Sequence, residues 1–337
     1  MIPPLYPYVS FGFSDKEIEN SFFLDSGRSS FALIAKVLKY RHDNLIFIIP
    51  AYTCSSVIDA LRYVGVNYTF VDLNEKLQFD ELDLIDIIEA NDDKKVVLVP
   101  TSLFGVELIN YKIKFPDCIV IEDKSQSFPY LQINDADYQF FSFGRGKMVS
   151  SWSGGAVVTL DKDFATLYKD LEMKNDFLKS YIFVFLQKFV SKYMWSFVSY
   201  LINVNDESVE LEKVPKESFI KRISNIKKSW IVYSIEQTNM KQREETSNYY
   251  IRDIRKENLF DLDENIPYLR LPIKKSVIGD GVSFLRYKDT LSEAIRVRKN
   301  RAFIIPSILA EQCSMVPTHD LVNKKIAQKL VKEINQL

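Results

Sequence analysis

The chain of 337 residues carries 44 basic and 45 acidic side chains, with 47% hydrophobic and 26% charged residues. That balance describes a soluble globular protein and excludes a global field that would attract nucleic acid or an anionic membrane. Cys54, Cys118 and Cys313 are too few and too scattered for a disulfide framework or a thiolate metal site, and His42 and His319 lie far from any carboxylate or cysteine cluster, so neither zinc nor a histidine triad is expected. A reducing, cytoplasmic setting follows, and the opening MIPPLYPYVSFG lacks the features of a secretory signal.

Residues 1–20 hold Pro3, Pro4 and Pro7 among several aromatics and are expected to form an extended arm. The stretch 24–38, LDSGRSSFALIAKVL, opens on a polar turn and then places Phe31, Ile34, Ala35 and Leu38 at helical spacing. Ser26-Gly27-Arg28-Ser29 thus falls at a helix N-terminus, which is either an ordinary cap or a site where free N–H groups and the helix dipole hold a phosphate. Strand-like runs at 45–50, 66–71 and 95–100 alternate with helical patterns at 55–63 and 79–90. That alternation predicts βαβ units and a largely parallel sheet.

Two further apolar runs, 118–121 and 138–143, carry the chemistry. The first delivers Glu122-Asp123, with Gln126 three residues on. The second delivers Ser142 and then the turn Gly144-Arg145-Gly146-Lys147. A strand ending in a carboxylate and another ending in a lysine place both at one sheet edge, which is where open α/β sheets bind ligands. The pairing suits pyridoxal phosphate (PLP): a lysine amine forms the Schiff base, and a carboxylate keeps the pyridinium nitrogen protonated.

Beyond residue 158 the spacing predicts a charged helix over 161–173 and then an aromatic segment, 177–204. Lys179, Lys188 and Lys192 interrupt it, so it lacks the uninterrupted apolar run of about 20 residues that a transmembrane span needs. It reads as two short buried helices or as a helix lying on a membrane surface. Residues 206–225 form a polar connection, 230–250 one long helix, and the remainder strands at 266–271, 282–286 and 302–306 with helices at 290–299 and 320–336. The expected division is a large domain over 1–225, including 177–204, and a linking helix with a small C-terminal α+β domain over 226–337.

In order and spacing, EDKSQS, FSFGRGK and SGGAVVT resemble the ED-x-x-Q, SF-x-x-x-K and GG-A-V-V-T signatures of the DegT/DnrJ family of sugar aminotransferases, PLP enzymes of fold type I. The resemblance is specific over residues 20–160 and only topological beyond. It implies an α/β fold whose large domain has a mostly parallel central sheet flanked by helices. It also implies Lys147 as the Schiff-base lysine, Asp123 as pyridinium partner, Gln126 beside the phenolic oxygen, and Ser142 with Gly27, Arg28 and Ser29 around the phosphate. Arg28 stands where the family has threonine. Cys54 stands where many relatives stack an aromatic on the cofactor ring, leaving Tyr52 as a candidate cover. Ser102 and Ser153 replace a histidine and a glutamate. Arg145 is a candidate anion contact for substrate, or a structural partner of Glu122 or Asp137. The implied reaction moves an amino group from an amino acid, glutamate foremost, to a nucleotide-linked keto sugar in surface-polysaccharide or modified-sugar biosynthesis, in a homodimer. A catalytically silent homologue with a binding or structural role is the alternative.

Overall fold

A computed structural model describes residues 12–144, 146–174, 219–277, 282, 287–319 and 322–336. The first half alternates strand and helix as expected. β1 (Ser21–Leu24) and α1 (Gly27–Arg41) are followed by β2 (Leu45–Pro50), α2 (Ser55–Val64), β3 (Asn67–Val71), α3 (Glu81–Glu89), β4 (Lys95–Leu98), the short α4 (Tyr111–Lys114) and β5 (Ile119–Asp123). Then come β6 (Tyr138–Ser142), β7 (Gly155–Val158), α5 (Lys162–Lys169), β8 (Met173–Lys174) and β9 (Arg222–Ile223). The aromatic segment 177–204 lies outside the described residues. Among those described, no helix is long and apolar enough to cross a membrane.

These nine strands form one sheet in the order β3-β2-β4-β5-β6-β7-β1-β9-β8. Strands β2 to β6 run parallel, and β7 is antiparallel to both β6 and β1. All six residues of β2 are buried, as expected of a parallel strand covered on both faces. Farther along the sheet the period of two separates the faces. On β6, Tyr138 and Phe140 join the larger core, while Phe141 joins a second one with Phe23, Val158 and Ile231. Helix α1 seals the first face, with Phe31 stacked on Phe140 at 5.1 Å between ring centroids.

The expected helix over 230–250 is two helices, α6 (Asn225–Gln237) and α7 (Lys241–Asp253). Thr238 Oγ1 donates to the Ser234 carbonyl at 2.7 Å, and Asn239 Oδ1 accepts from the Lys241 amide at 2.9 Å. Such short polar side chains compete with the helical backbone, here breaking one helix and starting the next. After them come β10 (Arg270–Ile273), α8 (Lys288–Val297), α9 (Ile304–Glu311), β11 (Ser314–Pro317) and α10 (Lys324–Gln336).

The strand expected over 302–306 is instead the start of α9. Its proline lies in the first turn, where a missing N–H is tolerated, and Ile305, Pro306, Leu309 and Ala310 bury one helical face. The strand expected over 266–271 is found as β10, which extends past Pro272 to Ile273 and pairs with β11 in a two-stranded ribbon whose other side carries one bridge, from Ile273 to Leu259. Of the strand expected over 282–286, residues 283–286 lie outside the described residues.

The C-terminal elements are tied to the large sheet by charges. Asp83, whose side chain is fully buried, accepts from Arg298 Nη2 at 2.9 Å and from the Asp72 amide at 2.8 Å, with Arg301 Nη1 at 2.6 Å. Glu293 pairs with Arg62 at 2.9 Å and accepts from the Tyr68 hydroxyl at 3.0 Å. Removing one member of a buried ion network strands the others. Asp83→Ala is therefore expected to destabilise the protein by about 3–5 kcal/mol in denaturant titration; a loss under about 1 kcal/mol would show that the network does not hold the two parts together.

Candidate active site

The carboxyl ends of the parallel strands converge on one edge. Asp123 closes β5, Ser142 closes β6, and Tyr52, Thr53 and Cys54 form the turn after β2. Asp123 is 4% exposed. Its main chain is locked by its own N–H to the Pro100 carbonyl and by the Ser102 N–H to its carbonyl, both at 2.9 Å. Its carboxylate accepts from the Ser125 amide at 2.9 Å. Burial pushes the Asp123 carboxyl above the usual range, against the Ser125 hydrogen bonds and the nearby Lys147 charge, which pull it down.

Lys147 follows a tight turn in which Gly146 has φ 75°, a left-handed conformation that suits glycine. The loop is held at both ends. Phe143 donates to the Gly154 carbonyl and accepts from the Ser151 amide, both at 2.9 Å, while Lys227 of α6 donates from Nζ to the Ser151 carbonyl. Lys147 lies within electrostatic reach of Asp123. Arg145 lies outside the described residues.

Helix α1 points its N-terminus at the end of β6. A methyl group added at Gly27 would lie 2.9 Å from Ser142 Cβ and 3.3 Å from its Oγ, so only glycine permits this approach. The side chains of Arg28 and Ser29 are engaged elsewhere. Arg28 pairs with Asp59 at 3.8 Å and lies over the Phe219 ring, while Ser29 donates to the Asp25 carboxylate beside Ser26. These contacts of the two side chains are structural, and the feature facing Ser142 is the helix end itself, with its positive dipole.

Gln126 Oε1 accepts from the Phe104 amide at 2.9 Å, which fixes the amide's orientation and presents Nε2 as the donor end. Phe104 and Gly105 both have positive φ, 57° and 98°. Tyr52 is 1% exposed and packs between Tyr287 and Phe104, at 4.9 and 6.4 Å between ring centroids, so it is a core aromatic with no open face. Cys54, half-buried, caps α2 and accepts from the Ser56 hydroxyl at 3.1 Å.

Two participants escaped sequence reasoning. Ser125 lies inside the ED-x-x-Q stretch and was legible as a carboxylate partner, since a hydroxyl two residues past a strand-end aspartate commonly closes such a turn. Tyr287 lies 128 residues beyond Thr159, the end of the motif region, and had no local signal.

The charge on Asp123 yields a stability prediction. Because its folded pKa lies above the unfolded value, its contribution to stability is present at low pH and is lost as pH rises through the carboxylate range. At neutral pH the ionised group destabilises the ligand-free protein. Asp123→Asn is expected to raise the melting temperature of that form by a few degrees at pH 7 and to leave it unchanged in acid. An unchanged or lower midpoint at pH 7 counts against an uncompensated buried charge.

No protein-family model matches the chain, and none of the curated proteins matches it. Solved structures do. A DegT DnrJ EryC1 StrS aminotransferase from Brucella abortus superposes with a TM-score of 0.67 at 15% identity, covering 95% of this chain and 86% of the other. PseC of Helicobacter pylori, an aminotransferase involved in the biosynthesis of pseudoaminic acid, gives 0.66 at 15% identity over 95% and 86%. The PLP form of a putative sugar aminotransferase of Streptococcus pneumoniae gives 0.62 at 13% identity over 94% and 86%. The likeness is one of fold: this chain has the architecture of the DegT/DnrJ/EryC1/StrS sugar aminotransferases.

Proposed function

We propose that the protein is a PLP-dependent aminotransferase that moves an amino group from an amino acid, with glutamate as first candidate, to a nucleotide-linked keto sugar. The single observation that carries this reading is the buried Asp123 carboxylate, within electrostatic reach of Lys147 at the carboxyl edge of a parallel sheet. A carboxylate raised by burial calls for a cationic partner, and a protonated pyridine ring is one. The helix end pressed against Ser142 by Gly27 suits a phosphate. These residues fit the cofactor. The motifs of residues 119–159, together with neighbours of the same fold that include a PLP form and an enzyme of sugar-acid biosynthesis, support it.

When bound, PLP supplies the electron sink that acidifies the α-carbon of an amino donor. Asp123 would hold the proton on the ring nitrogen, Ser142 and the N-terminus of α1 would hold the phosphate, and Gln126 would offer its Nε2 to the phenolic oxygen. Lys147 would anchor the cofactor, and its Nζ would be the base that accepts and returns the α-proton of the donor. The loop pinned by Lys227 keeps that amine at one place through both transfers. The domain division at 225/226, a homodimer that completes the site, and a cytoplasmic location belong to the same reading. Three free thiols fit a reducing compartment. The second reading, a silent homologue, rests on Cys54 standing where the family stacks an aromatic and on the lack, in the sequence, of the family's N-x-R-M-S segment from which a partner subunit reaches the phosphate.

Borohydride reduction of PLP-loaded protein is expected to leave a cofactor adduct on Lys147, seen by intact and peptide mass. Lys147→Ala should carry none and lose turnover by about 10²–10⁴-fold. An adduct on Lys124, or one that persists in the variant, sinks the assignment. Mixing the loaded enzyme with glutamate should convert its near-visible absorbance band to that of the aminated cofactor. If glutamate, glutamine and aspartate all leave the band unchanged, the silent-homologue reading takes over. Sedimentation should report a dimer, and a monomer that turns over substrate excludes a shared site.

A further inference from the structure

Tyr287 immediately precedes α8 and is 7% exposed. Thr290 Oγ1 ties it to the β2–α2 turn, lying 2.8 Å from the Tyr287 carbonyl and 3.0 Å from the Thr53 carbonyl. Its ring packs on Tyr52 at 4.9 Å and 50°. The phenol lies within electrostatic reach of Cys54, Asp123 and Arg270. Burial first, then the thiol and the carboxylate, hold the hydroxyl well above its ordinary range, so it remains a neutral O–H. The ring belongs to the larger core, and it joins the tilted Tyr52–Phe104 pair to the turn after β2 through Thr290.

A flat conjugated ring binds best against a flat apolar face. Along the β2–α2 turn the candidates for that face are few. Cys54 offers a thiol, and Tyr52 is already buried in the core. We propose that Tyr287 is a cofactor-contact residue, an aromatic wall of the ring chamber that the C-terminal elements supply beside Cys54. This rests on the PLP reading above. It also makes cofactor affinity depend on how α8 is seated, because Thr290 and Tyr287 move with that helix.

The test is titration of the ligand-free full chain with PLP, followed by visible absorbance and induced circular dichroism, with far-ultraviolet dichroism to confirm folding. Failure of the unaltered protein to bind PLP refutes the PLP reading itself. Given binding, Tyr287→Phe keeps the ring and is expected to stay within about threefold of the unaltered Kd with its induced dichroism preserved. Tyr287→Leu keeps apolar bulk without the aromatic face. It is expected to weaken binding about tenfold, the scale of one aromatic contact, and to lose the induced dichroism. Should the leucine variant not fold, Tyr287→Met is held to the same criteria. Unaltered or tighter binding by the leucine or methionine variant overturns the proposal, and so does a phenylalanine variant as weak as they are, since the hydroxyl and not the ring would then be the contact.

Discussion

A carboxylate buried at the end of a parallel strand is the constraint on which the rest of this molecule depends. Water does not reach Asp123 well enough to solvate a full charge, and one small hydroxyl and amide at Ser125 offset only part of the desolvation. A fold without a use for that charge has no reason to keep it there. The main-chain hydrogen bonds to Pro100 and from Ser102 hold the aspartate rigidly, so the penalty cannot be relieved by turning the strand end outward. What the chain itself supplies is cationic compensation from Lys147, and in the proposed function a cationic ring would add to it. Stability and function are opposed at this position, which is the expected mark of a binding site built into an otherwise apolar edge.

The turn at Phe104 and Gly105 is the second place where backbone geometry is committed to the site. A Cβ at Gly105 would meet Met148 Cε at 2.9 Å, the Leu269 amide nitrogen at 3.1 Å and the Gln126 carbonyl at 3.2 Å. The Leu269 amide also donates to the Phe104 carbonyl at 2.7 Å. One glycine-dependent turn therefore touches Met148, the residue after Lys147, the Gln126 main chain, and the chain entering β10. Displacing it would shift all three together, so the loop that carries the lysine and the C-terminal elements are mechanically joined.

The large sheet was legible because its signals are local. Alternating apolar runs gave β2, β3 and β4, and the strand-end carboxylate and lysine were readable from position alone. The polar turn before α1 announced a helix end, but the sequence did not say that Arg28 would pair with Asp59 or that Ser29 would bond to Asp25, because each partner is chosen by tertiary packing. Thr238 and Asn239 hid a helix break inside a plausible helical period, since their side-chain hydrogen bonds leave no trace in apolar spacing. Proline misled at α9 for the opposite reason: read as a terminator, Pro306 sits in a first turn where it does no harm. Tyr287 was invisible because nothing in its neighbourhood points to β2.

The attachments of the C-terminal elements explain how so remote a residue reaches the site. Glu293 and Arg298 both lie at or just past α8 and grip α2, β3 and α3 through Arg62, Tyr68, the Phe70 carbonyl and Asp83. Those contacts fix the far end of the helix against the edge of the sheet. Thr290 fixes the near end against Thr53. A helix held at both ends has little freedom to rotate, so the residue before its first turn is placed as firmly as one on a strand. The ion network around Asp83 is distant from Lys147 in the sheet order, with β2, β4 and β5 between β3 and β6. Through α8 it nonetheless bears on the position of Tyr287, the residue before that helix's first turn.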